Sequence, residues 1–175
     1  YFYSFDFSSL KAEGRYALET GTGNTIYRSP EFDVAKHLLV ERTLSDIIYF
    51  FKSQRCTGEY DLKDTKVPFY GGRKGTVDAH GGWYDASGDT SKYISHLCYT
   101  NFMMPQQAPM TIWSIIEALR VNKAAGHLKS LDYQRRFQDE ALHGADWLVR
   151  MQDPEGYFYL TVFDHPGEID GAQGT

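Results

Sequence analysis

The hydrophobic period of this chain changes at Ser29-Pro30, and that change limits the folds open to it more than any other feature. Before it, Tyr1-Phe2-Tyr3-Ser4-Phe5-Asp6-Phe7 spaces large apolar side chains on a period near two, which predicts a strand. Leu10-Lys11-Ala12-Glu13-Gly14-Arg15-Tyr16 turns at Gly14 and opens a second strand through Ala17 and Leu18. The spacing Leu-x-x-x-Gly-x-Tyr fits a tyrosine corner, in which the hydroxyl donates back to upstream backbone of a β-sandwich. Gly21-Thr22-Gly23-Asn24 forms another turn before Thr25-Ile26-Tyr27. Two or three strands do not close a sandwich, so residues 1–30 read as the end of a β module.

After Ser29-Pro30, with a helix-start signal reaching Asp33, apolar residues recur at helical spacing. Val40, Leu44, Ile47, Ile48 and Phe51 lie on one face of a helix that ends near Cys56-Thr57-Gly58. A second helix is predicted from about Ala108 to Ala125, carrying Ile112, Ile115, Ile116 and Leu119. A third carries Phe137, Ala141, Ala145, Leu148 and Met151 and stops at Gln152-Asp153-Pro154-Glu155-Gly156. Trp113 and Trp147 fall inside these helices and read as core. Tyr157 to Phe163 reads as a short extended segment. Residues 58–93 show no sustained period and read as a long ordered loop, a feature more often functional than idle.

Charge excludes some functions. A net charge of -5 without like-sign runs argues against nucleic acid, which calls for a clustered basic face. No apolar run approaches the roughly 20 residues of a transmembrane helix. Two isolated cysteines, Cys56 and Cys98, make neither a disulfide scaffold nor a CxxC zinc knuckle, and each reads as a small buried hydrophobe. Aromatic residues reach 15%, which suits a heavy core and equally a cleft where sugar rings stack.

The long loop contains Gly81-Gly82-Trp83-Tyr84-Asp85-Ala86-Ser87-Gly88-Asp89-Thr90-Ser91-Lys92-Tyr93. Two carboxylates in a glycine-rich turn flanked by aromatics suit water activation or metal binding. A calcium reading takes Asp85, Ser87, Asp89 and Ser91 as positions 1, 3, 5 and 7 of a loop. It then finds Thr90 and His96 where Gly and Glu are required. A plain solvated turn is the default for such a stretch on its own. Trp83 and Tyr84 can each stack on glucose rings or pack the turn, with packing favoured for Trp83. His80 reads as structural.

That segment resembles the N-terminal signature of glycoside hydrolase family 9, the inverting cellulase-type β-1,4-glucanases. Three further segments are similar, in order. Gln54-Arg55-Cys56 closes the first helix, as in members carrying an immunoglobulin-like module. Gly144-Ala145-Asp146-Trp147-Leu148-Val149-Arg150-Met151-Gln152-Asp153-Pro154-Glu155-Gly156 resembles the family's helix ending in Lys-Met-Gln-Asp-Pro-Asp-Gly. Residues 1–30 look like the last strands of that module. The resemblance implies a mainly α chain: residues 31–175 as the N-terminal portion of an (α/α)6 barrel, preceded at 1–30 by the end of an immunoglobulin-like β-sandwich. It also implies a secreted, periplasmic or cell-surface protein acting on β-glucan, with remaining segments of the same protein completing the barrel.

Carried over residue by residue, the resemblance implies Asp89 as general base and Asp85 as the partner that holds the attacking water. The family usually reads Asp-Ala-Gly-Asp; here Ser87 lengthens the turn, so Asp89 is the firmer assignment. The general acid, a Glu far downstream, is expected outside this chain. Glu155 and Glu168 fit a helix-terminal turn and a surface loop instead. Some relatives bind structural zinc through the Cys of Gln-Arg-Cys, a Cys-His pair, and a His where Tyr84 stands. With Cys56 alone retained, no zinc is expected, and no other cofactor. Lys92 is expected to support the aspartates by an ion pair or hydrogen bond. Two other readings remain: an exo-acting enzyme on cello- or amino-sugar oligomers, and a non-catalytic, sugar-binding fragment.

Overall fold

The computed structural model describes residues 4–85, 90–94, 107–128 and 131–163, and the chain divides into two compact units, residues 1–46 and 47–175. Described residues are mostly helical, with four two-stranded antiparallel sheets.

In the first unit, β1 (Gly14–Tyr16) pairs with a strand that the periodicity missed, and β2 (Glu19–Thr22) and β3 (Thr25–Arg28) form a hairpin across Gly23-Asn24. The missed strand is β4 (Phe32–Val34), which occupies the segment read as a helix start. Tyr16 Oη donates to the Ala12 carbonyl at 3.1 Å, the bond expected of a tyrosine corner. Of the strand expected over Tyr1–Phe7, residues 1–3 lie outside the described residues, while Ser4–Phe7 are irregular and Phe5 and Phe7 are exposed. Alternation alone does not supply a neighbouring edge to pair with, and Phe7 instead meets the Phe32 ring at 5.4 Å.

Helix α1 (Leu38–Ser53) starts later than the sequence suggested, because β4 and a turn take the preceding residues. The supposed loop at 58–93 contains α2 (Gly58–Lys63), a 3-10 turn at Asp64–Lys66, and the paired strands β5 (Val67–Pro68) and β6 (Thr76–Val77). It ends in β7 (Lys92–Tyr93).

Helices α3 (Ala108–Ala124) and α4 (Leu131–Arg150) form where the periodicity predicts and pack together; of the expected α3 face Ile112 and Ile115 are buried, while Ile116 is exposed. The short connection between the helices and the meeting of Ile112 with Gly144 make them antiparallel. The buried stripe of α4 is Phe137, Glu140, Ala141, Gly144 and Trp147, so it includes a carboxylate that no apolar pattern reveals. Trp147 is core as expected, but Trp113 is 57% exposed and is not.

After α4 the chain turns and forms β8 (Thr161–Val162), which pairs with β7. The turn closes on Asp153, which is 1% exposed. It accepts from the Tyr159 hydroxyl, from Arg73 Nη1 at 2.6 Å and from the Glu155 N–H at 2.9 Å. The Tyr159 hydroxyl, chief among these donors, holds the Asp153 carboxyl down at about 2. Burial and the adjoining carboxylate push Tyr159 up to about 12.

Candidate active site

The glycine-rich turn is gripped between the end of α1 and the buried face of α4. Gly82 has φ +75°, and a Cβ there would stand 2.7 Å from the Trp147 ring. Left-handed backbone and the close indole together require glycine. Its carbonyl accepts from the Cys56 N–H at 2.9 Å and from His143 Nε2, also at 2.9 Å. Burial pushes the His143 pKa down, leaving a neutral ring whose Nε2 proton faces the carbonyl.

Trp83 comes next and bridges antiparallel to Arg55. Its Nε1 donates to Glu140 Oε1 at 2.6 Å, and Arg55 donates to the same carboxylate through Nε at 3.2 Å and Nη2 at 2.8 Å. Glu140 is 1% exposed, so its charge is matched by a fork of donors rather than by water. The packing half of the Trp83 reading is thus visible in the structure, while the residue also borders the cleft described below.

Lys92 anchors the far side. It is fully buried and spends its three N–H donors on the Ala79 carbonyl at 2.6 Å, the Gly81 carbonyl at 2.8 Å and Asp64 Oδ2 at 2.5 Å. The Trp147 indole N–H reaches the same Ala79 carbonyl at 3.2 Å. Of the support expected for the two aspartates, no Lys92–Asp85 pair is formed, and Asp89 lies outside the described residues. The charge of Lys92 is met by Asp64, and its side chain acts on the turn through backbone carbonyls.

Asp85 emerges from this grip into solvent. Its N–H donates to the Ser91 carbonyl at 3.0 Å, which joins the two ends of the 85–91 segment. Its Oδ1 accepts from Gln107 Nε2 at 2.7 Å. Asp89, the residue assigned as base, lies outside the described residues, as do Cys98 and Glu168.

A cleft of about 220 Å³ opens beside Asp85, lined by Phe50, Phe51, Trp83, Tyr84 and Gln107 among others. Tyr84 is half-buried, and its oxygen accepts from the Thr57 N–H at 3.4 Å. Burial, with the neighbouring Cys56, pushes this phenol up to about 12, so it faces the cleft neutral.

The surroundings of Cys56 test the zinc question. Its thiol is buried, which raises its pKa, and it lies between the Tyr84 hydroxyl and Asp64 Oδ2, 3.7 Å away. Asp64 is already paired with an ammonium, and a phenol is not a ligand that structural zinc sites use. Among the described residues no three His, Cys, Asp or Glu side chains stand together as a metal site. These donors do not fit zinc.

Glu140, Asp64 and Gln107 carry no signal in the sequence that marks them as part of the site. Arg55 and Glu140 are 85 positions apart, and Asp85 and Gln107 are 22 apart, so no local spacing marks either pair.

Comparison with known proteins places this arrangement in context. The sequence model of glycosyl hydrolase family 9 matches residues 41–171. A metagenome-derived glycoside hydrolase family 9 endoglucanase is similar in structure, at 27% identity and a TM-score of 0.56 over 90% of this chain and 29% of its own. The family 9 endoglucanase J30 matches at 22% identity and a TM-score of 0.59, again over 90% of this chain and 31% of its own. A Zn-binding triple mutant of J30 matches with the same values. The chain thus spans about three tenths of the length of these structures. No curated protein sequence matches it significantly.

Proposed function

The chain belongs to glycosyl hydrolase family 9, and from that premise we propose that it supplies the water-activating half of an inverting, endo-acting hydrolase of β-1,4-glucan. The observation that carries this reading is the placement of Asp85, held by Ser91 and Gln107 beside an aromatic-lined cleft, within a family 9 match.

In the proposed mechanism Asp89 takes a proton from a water that Asp85 helps to hold. The water oxygen attacks the anomeric carbon from the face opposite the leaving glucan. As the glycosidic C–O bond breaks, a general acid protonates the departing oxygen. Inverting pairs stand roughly 6.5–9.5 Å apart to leave room for the water. We assign the acid to a Glu outside this chain, since the similar endoglucanase structures are about three times as long. Tyr84 and Trp83 are proposed to line the path of the glucan. Residues 1–30 are proposed as the last strands of an immunoglobulin-like module, a reading supported by the Tyr16–Ala12 bond.

The test is hydrolysis of a soluble β-1,4-glucan by the protein that carries this chain, with NMR of the fresh product. Initial appearance of the α anomer is expected; initial β anomer would overturn the inverting reading. Residues 1–175 expressed alone are expected to release no reducing sugar. Efficient turnover by them would overturn the assignment of the acid elsewhere. Glucan binding without turnover by the longer protein would favour a non-catalytic, carbohydrate-binding role.

A further inference from the structure

We infer that Gln107 is the positioning residue for Asp85, a role that rests on the reading of Asp85 as the water-holding carboxylate. Gln107 immediately precedes α3, a rigid helix packed on α4, whereas Asp85 leaves the buried turn for solvent. The bond from Gln107 Nε2 to Asp85 Oδ1, at 2.7 Å, therefore ties an exposed carboxylate to a fixed element. A carboxylate offers only acceptors, so the amide must turn its nitrogen toward Asp85 and its oxygen away. That oxygen is buried and has no hydrogen-bond partner among the described residues. Both residues border the same cleft. The amide thus meets two requirements at once: a donor for Asp85 Oδ1, and a side chain long enough to deliver it from the start of α3.

Glutamine combines these two requirements. Methionine matches its length without donor or acceptor, and glutamate keeps the acceptors but sets a second carboxylate against Asp85. Conversion to either removes the tie with little change in volume.

The experiment compares wild type, Gln107→Met, Gln107→Glu, Asp85→Asn and the double variant Asp85→Asn/Gln107→Met in the protein that carries this chain. Steady-state kinetics on soluble β-1,4-glucan are read beside thermal unfolding. Gln107→Met is expected to lower kcat about 10- to 100-fold with KM within about twofold, and Gln107→Glu to lower it at least as much. In the Asp85→Asn background the same Gln107→Met change is expected to cost less than about threefold, because its target is gone. Undiminished kcat in both Gln107 variants would overturn the proposal while leaving Asp85 in place. A fall in kcat that is equally large in the Asp85→Asn background would also overturn it. Full activity of Asp85→Asn would instead remove the underlying role of Asp85. Should Gln107→Met unfold early, Gln107→Glu, which keeps the polar shape, carries the comparison.

Discussion

Trp83 donates its indole N–H to Glu140, 2.6 Å away and 57 positions later in the chain. This bond joins the turn that presents Asp85 to the buried face of α4. Arg55, at the end of α1, completes the charge balance on the same carboxylate. Three segments distant in sequence thus meet at one buried carboxylate.

Replacing Glu140 with Ala leaves the Trp83 N–H without its acceptor and the partly buried Arg55 guanidinium with Asp139 alone. Removing one partner of a buried pair costs about 3–5 kcal/mol. Glu140→Gln keeps an acceptor and should cost about 1–3 kcal/mol. Denaturant titration of the two variants checks both the size and the order of the losses.

Gly144→Ala tests the closeness of the packing. The new Cβ would fall 2.2 Å from Trp83 Cη2 and 2.6 Å from Ile112 Cγ1. Neither a ring held by Glu140 nor the α3 side chain has room to retreat, so a loss of at least about 1–3 kcal/mol is expected. Glucanase activity measured below the new melting temperature should fall too, since Trp83 carries the turn with it.

Lys92→Met removes three donors from a site that is closed to water. The carbonyls of Ala79 and Gly81 and the Asp64 carboxylate are left facing a thioether. A loss of about 3–5 kcal/mol is expected. Adding Asp64→Leu should recover part of it by removing the stranded charge, and chemical denaturation of the single and double variants measures the recovery.

The Asp153–Tyr159 pair predicts a pH dependence with defined limits. The folded pKa of Asp153, about 2, lies below its ordinary value of 3.8; its contribution is therefore present above that value and lost as pH falls through about 2. Tyr159 is raised from 10.0 to about 12; its contribution is complete below pH 10 and lost as pH rises through about 12. The stability difference between wild type and Tyr159→Phe should accordingly be a plateau between about pH 4 and 10 and shrink on both sides. Urea titrations across that range measure it.

Much of this architecture can be read from single residues, and the remainder shows what local pattern omits. The faces of α3 and α4 follow from helical spacing because Ile112, Ile115, Phe137 and Ala141 are buried by packing that the period encodes. The Tyr16 bond follows from a spacing of the same local kind. Ser4–Phe7 alternates but meets no partner edge among the described residues, whereas Phe32–Val34 alternates over only three residues, too few to signal a strand, and becomes one because β1 pairs with it. Trp113 lies inside a helix yet faces outward, since position in a helix does not determine which face is covered. At the site, glycine and acid at 81–85 announce a tight turn bearing a carboxylate. Glu140, Asp64 and Gln107 act on that turn from other segments, and only the folded chain brings them near.

The central claim is that Asp89 activates water with the help of Asp85. Initial rates on soluble β-1,4-glucan for Asp89→Asn and Asp85→Asn, in the protein that carries this chain, test it most directly. We predict that Asp89→Asn lowers kcat by about 10²-fold or more, as expected for loss of a general base. Asp85→Asn should lower it to a smaller extent, with both variants as stable as wild type. Undiminished kcat in Asp89→Asn would contradict the account.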